Sequence, residues 1–102
     1  MQPHEEWLFK AKQDLRSAKI LSEASDPPRD VAIYHTQQCA EKSLKAYLVF
    51  KKQEIDKMHN LMILTGKCES FDHDFNSIMD NAIFLNPYST LTPFIERVAL
   101  IV

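Results

Sequence analysis

The side chains best suited to chemistry form a polar strip on one predicted helix, residues 30–52. Its members recur three and four residues apart, so a helix places them on one face, away from the apolar side. Two ammonium groups and an amide donor on one face are suited to binding an anion such as a nucleotide phosphate or RNA. The simpler interpretation is a solvated face with a Glu41–Lys45 ion pair. The strip consists of His35, Gln38, Lys42 and Lys45.

Metal binding is not predicted. A structural zinc site usually combines two close pairs of ligands. His35 and Cys39 are spaced as one such pair, but Cys39 projects toward the apolar side of its helix, and the other histidines and cysteine form no second pair. We therefore expect no metal ion and no other cofactor.

The helix that carries the strip is apolar over roughly 200° of its circumference. It should therefore be buried on two sides and polar on one, as the central helix of a bundle is. Its predicted apolar side holds Ile33, Ala40, Leu44, Tyr47 and Leu48, widened by Ala32, Cys39, Ala46 and Phe50.

Breaks rich in proline at residues 25–30 and 86–93 separate segments with a helical apolar period. One such segment precedes residue 25, two lie near residues 61–68 and 75–85, and Thr92 and Pro93 can begin a last helix. The sequence predicts an all-α fold, an antiparallel up-and-down bundle of four main helices with or without an extra short helix.

Length and composition exclude several classes of protein. The 102 residues predict a single domain, 1–102, and the single glycine excludes Rossmann and P-loop sites, which need several. A net charge of −2 gives no support for a duplex-DNA binder. No apolar run is long enough for a membrane span, and the N-terminus does not read as a signal peptide. Two cysteines without an export signal favour a reducing, cytoplasmic location.

The stretch QQCAEKSLKA, residues 37–46, resembles the QQxAEKxxKA signature of the HEPN domain, the "higher eukaryotes and prokaryotes nucleotide-binding" family. Trp7 and Asp14 match features of that family's first helix, and His59 and Leu61 match the opening of its third. The likeness covers nearly the whole chain and implies a short helical bundle. Such domains are often encoded beside a minimal nucleotidyltransferase, as a toxin–antitoxin-like pair.

The resemblance implies a non-catalytic module that forms a homodimer and partners a nucleotidyltransferase-like protein. The wide apolar arc and the apolar C-terminus, residues 98–102, also favour a dimer. Nucleotide or RNA would bind at the candidate ligand-binding residues given at the end of this paragraph. Two alternatives stay open, a metal-independent ribonuclease toxin and a dedicated nucleotide-binding domain. The candidate ligand-binding residues are Gln38, Lys42, Lys45, His59 and Tyr88.

Ribonucleases of this family use an R-x4–6-H motif at a dimer cleft, toward the last helix. Here the pattern occurs as Arg29 and His35, which straddle the loop into the second helix. The family's usual Arg-Tyr-Pro run is replaced by Pro93, Phe94 and Ile95. An arginine that stabilises charge on phosphate is thus missing from its usual place, and we expect no efficient ribonuclease activity.

Overall fold

The structure, a computed structural model, describes residues 2–55, 60–71, 95–96 and 98–100, except for the side chains of Arg29 and Leu61. Three helices are complete within these ranges: α1 (Pro3–Ser22), α2 (Arg29–Phe50) and α3 (Leu61–Phe71). Residues 95–96 and 98–100 are also helical, and the described ranges contain no strand. The predicted all-α class is confirmed for this part of the chain.

Local signals set the bounds of α1. Pro3 occupies the first helical turn, where a missing N–H costs nothing, and the Gln2 N–H donates to Glu5 Oε1 at 3.4 Å. At the other end the Ser22 hydroxyl donates to the Lys19 carbonyl at 2.8 Å. The prolines at positions 27 and 28 then prevent α1 from continuing, and α2 begins directly after them.

Helices α1 and α2 pack antiparallel. The ring of His4 meets that of Phe50, and further along α1 the carboxylate of Asp14 meets Lys42, so contacts move backward along α2 as they move forward along α1. Small side chains line the seam, with Ala11 and Ala18 fully buried. They allow close approach of α2, whose large buried residues are worth about 1.5–3 kcal/mol each. The core of α2 comprises Cys39, Ala40, Leu44, Ala46, Tyr47 and Leu48.

A left-handed residue ends α2. Lys52 has φ 60°, its N–H donates to the Val49 carbonyl at 2.9 Å, and the Gln53 N–H donates to the Leu48 carbonyl at 2.9 Å. These two bonds form a Schellman motif, which usually has glycine at the left-handed position. The motif turns the chain back, and Ile55 is buried in the core.

Helix α3 begins after Asn60, whose side-chain Oδ1 accepts from the Met62 N–H at 2.8 Å, as a capping residue does. Its Cys68 thiol donates to the Leu44 carbonyl at 3.6 Å, and the Phe71 ring lies 6.4 Å from that of Tyr47. From the first contact to the second, the residue number rises on both helices, from Leu44 to Tyr47 on α2 and from Cys68 to Phe71 on α3. They do not show the reversed order of α1 and α2, so the antiparallel four-helix arrangement stays a prediction.

Three predicted placements on α2 are wrong. Ile33, expected on the apolar side, is 51% exposed, whereas Lys45, expected on the polar strip, is only 5% exposed. The described contacts of α3 reach α2 at Leu44 and Tyr47, so the second half of α2 is enclosed more fully than its first turns. Phe50, also expected on the apolar side, is exposed.

The C-terminal predictions are only partly covered. The segment at 75–85 and the start of the last helix at Thr92 and Pro93 lie outside the described residues. Ile95 and Val98 belong to the core. A last helix that packs on the bundle is expected to bury Val98. Within the described residues, no helix has the length and apolar character needed to cross a bilayer.

Candidate functional site

A buried carboxylate on α1 joins two members of the polar strip on α2. Asp14 is 8% exposed. Nδ1 of His35 lies 2.9 Å from Asp14 Oδ1, and Nζ of Lys42 donates to Asp14 Oδ2 at 2.5 Å. We call these three residues the Asp14 cluster. The imidazole and the ammonium belong to one face of α2, two helical turns apart, so a single carboxylate can bridge them.

The helical register of α1 explains why Asp14 points inward. It follows Ala11 by three residues and precedes Ala18 by four, so it belongs to the stripe that α1 packs against α2. Burial of an ionised carboxylate is costly unless it is paired and hydrogen bonded. His35 and Lys42 meet that need from the opposite helix.

The cluster fixes the orientation of an imidazole. A carboxylate on one ring nitrogen favours the tautomer with the proton on that nitrogen, which leaves the other nitrogen as an acceptor. Among the described residues, nothing hydrogen bonds Nε2 of His35. The side chains of His35 and Lys42 are 27% and 25% exposed, so solvent reaches both. The arrangement can present a ring nitrogen and an ammonium to an anion or to a hydroxyl.

Gln38 lies between His35 and Lys42 along α2 and is half-buried. Its position agrees with the predicted strip. Three of the four predicted strip residues are therefore neighbours on a partly exposed face: His35, Gln38 and Lys42.

Lys45 belongs to a different environment. Its Nζ lies 3.2 Å from Glu41 Oε1 and 5.1 Å from the centre of the Trp7 ring. The predicted Glu41–Lys45 pair is confirmed, but both side chains are buried rather than solvated. The aliphatic stem of a lysine packs well on an aromatic surface, and the ammonium gains a cation–π contact there.

The remaining predicted site residues are not covered. His59, Tyr88 and Pro93 lie outside the described residues, and Arg29 is described only in its backbone. Sequence reasoning missed Asp14 as a site residue. Its signal was available, since a carboxylate within the apolar stripe of an amphipathic helix calls for a partner.

The two cysteines are not nucleophiles at neutral pH. Burial raises the pKa of the Cys39 thiol to about 12, and a hydrogen bond with the Ser43 side chain offsets only part of that rise. Burial likewise raises the pKa of the Cys68 thiol to about 12. The thiolate is the reactive form, so its population is minute at pH 7. In the described part of the chain, no group of His, Cys, Asp and Glu is placed to hold a metal ion.

A family model described as "HEPN domain" matches residues 4–94, nearly the whole chain. The chain belongs to the HEPN domain family. HEPN domains are modules of the nucleotide-binding and ribonuclease type. Neither the curated proteins nor the solved structures give a match to this HEPN chain.

The HEPN-like signature, residues 37–46, falls entirely within α2 and is mainly internal. Its Glu41 and Lys45 form the buried pair beside Trp7, whereas its Gln38 and Lys42 keep partial exposure. The signature therefore combines residues that hold α1 to α2 with residues of the exposed face. Only the second group is available to a ligand without rearrangement of the core.

Proposed function

We propose that this HEPN protein is a binding module without efficient ribonuclease activity, which contacts nucleotide phosphate or RNA through the exposed face of α2. The observation that carries the proposal is the double engagement of Asp14 by His35 and Lys42. It orders an imidazole and an ammonium on one face, with the amide of Gln38 between them along α2. Donors that are ordered before binding lose little entropy when an anion arrives.

The charge of the Asp14 cluster limits the affinity. The Asp14 carboxylate offsets the charge of the Lys42 ammonium, which reduces the attraction of this face for an anion. Phosphate binding should therefore be weak and should weaken further with added salt.

The proposal includes a homodimer and a partner resembling a minimal nucleotidyltransferase, in a toxin–antitoxin-like pair. Large apolar side chains are exposed on α1 and α2. They support a protein interface, because contact with another chain would remove their apolar surface from water. Two buried free thiols support a cytoplasmic setting for the pair. The exposed apolar residues of these helices include Phe9, Ile20, Val31, Ile33 and Tyr34.

Calorimetry of the full chain with ATP, GTP and short RNAs tests the ligand. We expect binding that His35→Ala or Lys42→Ala weakens by about tenfold, the effect of roughly 1.4 kcal/mol. Lys12→Ala is the matched control, since Lys12 is an exposed lysine of α1 outside the cluster. The Lys12→Ala variant should bind these ligands with the same affinity as the native chain. Absence of binding by all these ligands would refute the ligand part of the proposal.

Light scattering tests the assembly. We expect the mass of a dimer at micromolar concentration, with one patch used twice as in most dimers. A monomer mass throughout that range would refute the dimer. For the partner, co-expression with a small nucleotidyltransferase encoded beside the gene should give a complex that survives gel filtration. Elution as two separate species would refute that partner.

A ribonuclease is the second candidate, and the Asp14–His35 hydrogen bond is what favours it. A carboxylate that orients an imidazole is a common arrangement for general base catalysis. We expect no efficient cleavage, because Pro93 replaces the family arginine. Metal-free cleavage of single-stranded RNA in EDTA, abolished by His35→Ala and by Arg29→Ala, would instead establish the ribonuclease.

A further inference from the structure

An exposed aromatic residue, Tyr34, lies next to the polar strip on α2. It precedes His35 by one residue and Gln38 by four, so the helix places its side chain beside the amide of Gln38. Tyr34 is 56% exposed, more than any member of the strip. The exposed face of α2 therefore carries an aromatic ring directly beside the imidazole and the ammonium of the Asp14 cluster.

The contact between Tyr34 and His35 leaves a face of the phenol ring open. The two ring centres are 5.4 Å apart, and the ring planes cross at 75°. In such an edge-to-face contact only one ring offers a face, so His35 covers at most one of the two faces of Tyr34. In the part of the chain that the structure describes, no ammonium lies over the Tyr34 ring. Nucleobases stack on exposed aromatic rings of this kind.

The imidazole next to this ring is suited to a hydroxyl. Asp14 Oδ1 lies 2.9 Å from Nδ1 of His35, which favours the proton on Nδ1 and leaves Nε2 as an acceptor. A ribose hydroxyl can donate to this nitrogen, whereas a fully ionised phosphate has no proton to donate. The Lys42 ammonium has three N–H donors and gives one to Asp14, so it is the group that can bind phosphate.

The three groups follow one another along α2 in the order of a nucleotide. Tyr34 and Lys42 are eight residues apart, about 12 Å along the helix axis. The Lys42 side chain shortens this distance, because its ammonium reaches the carboxylate that also contacts His35. The place for a base and the place for a phosphate are thus separated by the His35 ring, where a sugar would lie.

We propose that this face of α2 binds one ribonucleotide unit, from a free nucleotide or from RNA. The base stacks on Tyr34, the 2′-hydroxyl donates to Nε2 of His35, and the phosphate contacts Lys42. The 2′-hydroxyl is the one that a free ribonucleotide and an internal unit of RNA both retain, and it distinguishes RNA from DNA. The inference rests on the proposed function and assigns the base and the sugar to particular residues.

Comparison of AMP with ribose 5-phosphate, by NMR titration of the full chain, measures the contribution of the base. We expect AMP to bind about tenfold tighter, the effect of roughly 1.4 kcal/mol, and its base protons to shift upfield as they stack. Tyr34→Ala should remove both effects and leave the affinity for ribose 5-phosphate unchanged. Tyr34→Phe keeps the ring and should bind AMP as the native chain does.

Comparison of AMP with dAMP measures the contribution of the 2′-hydroxyl. We expect AMP to bind about fivefold tighter, the effect of roughly 1 kcal/mol. His35→Ala should abolish this preference, whereas Tyr34→Ala should keep it, because the two residues contact different parts of the ligand. Equal affinities of the native chain for AMP and dAMP would overturn the assignment of His35 to the sugar.

Phe71→Ala is the matched control for the loss of an exposed ring. Phe71 is also exposed, but it contacts Tyr47, about 20 Å from Tyr34 along α2, and its removal should leave AMP binding unchanged. Light scattering of Tyr34→Ala completes the test. If this variant loses the dimer and still binds AMP as tightly as the native chain, Tyr34 belongs to a protein interface and the proposal is overturned.

A short oligoadenylate distinguishes the two sources of the ribonucleotide. Tighter binding of the oligomer than of AMP identifies RNA, and equal binding identifies a free nucleotide; Tyr34→Ala should weaken the binding of both. If AMP and ribose 5-phosphate bind equally and Lys42→Ala weakens both, the base site is overturned and the anion-binding function stands. If AMP, ribose 5-phosphate and the oligomer all fail to bind, both the ribonucleotide site and the proposed ligand function are refuted.

Discussion

Asp14 and His35 are 21 residues apart in the chain, yet the carboxylate of one lies 2.9 Å from Nδ1 of the other. This contact fixes the rotation of α1 relative to α2, because it forms only when the inward stripe of α1 meets the polar strip of α2. The same carboxylate also engages Lys42. One buried acid thus contributes both to the packing of two helices and to the ordering of the exposed face.

The first prediction concerns Asp14 itself. Asp14→Ala removes a carboxylate that two partly buried partners need, and we expect it to lower the free energy of unfolding by about 1–3 kcal/mol. Asp14→Asn should cost less, because the amide oxygen still accepts one hydrogen bond. Asp26→Ala, in the exposed loop after α1, is the control and should change stability little. Urea denaturation of the three variants measures the difference, and equal stabilities would contradict the role given to Asp14.

The second prediction follows from the burial of the Glu41–Lys45 pair. Lys45→Met takes away the ammonium that pairs with the buried Glu41 carboxylate, so it should destabilise the protein by about 3–5 kcal/mol. The double variant Glu41→Gln with Lys45→Met removes both charges and should recover most of that loss. Lys42→Met, at a partly exposed position, should cost less than Lys45→Met. If Lys45→Met is as stable as the native chain, the pair is solvated in solution.

Periodicity predicted the helices well and the depth of individual residues less well. It indicated α1, α2 and α3 and the buried positions Ala40, Leu44 and Leu48, because each lies on the predicted apolar side of α2. It misplaced Lys45 because a projection sorts residues by type, whereas a lysine stem can pack on an indole that only the fold brings near. Tertiary contacts such as that with Trp7 are not visible in a local pattern.

The candidate site shows the same limit. Gln38 and Lys42 were found because they share one helix with His35, and a helix fixes their spacing. Asp14 comes from another helix, and the pocket lined by Trp7, Val49 and Ile55 is assembled from three segments of the chain. Sites of this second kind depend on how the helices pack together, which the residue pattern within one helix does not specify.

The third prediction uses the left-handed residue that ends α2. A non-glycine residue at φ 60° carries strain of about 1–2 kcal/mol, which glycine does not have. Lys52→Gly should therefore raise the free energy of unfolding by about 0.5–1 kcal/mol, after the larger chain entropy of glycine is subtracted. Lys51→Gly is the control, because Lys51 has an ordinary φ of −81° and should lose stability. A loss in both variants would contradict the Schellman geometry.

The last prediction concerns alkaline pH. An unfolded thiol has a pKa near 8.5, whereas burial raises the pKa of both Cys39 and Cys68 to about 12. Between about pH 9 and 12 the unfolded chain loses these protons and the folded chain keeps them. Stability should therefore be unaffected by the thiols below pH 8 and should fall above pH 9, by about 1.4 kcal/mol per pH unit for each thiol.

Other groups also titrate above pH 9, so the comparison with a variant isolates the thiols. The double variant Cys39→Ala with Cys68→Ala loses packing at every pH, which lowers its stability curve as a whole. Its slope between pH 9 and 11 should nevertheless be shallower than that of the native chain, because two of the proton releases are gone. Equal slopes would mean that the thiols ionise normally in the folded protein. Slow labelling of the native thiols by a thiolate-specific reagent at pH 8 should accompany the steeper slope, because both measurements depend on the same burial.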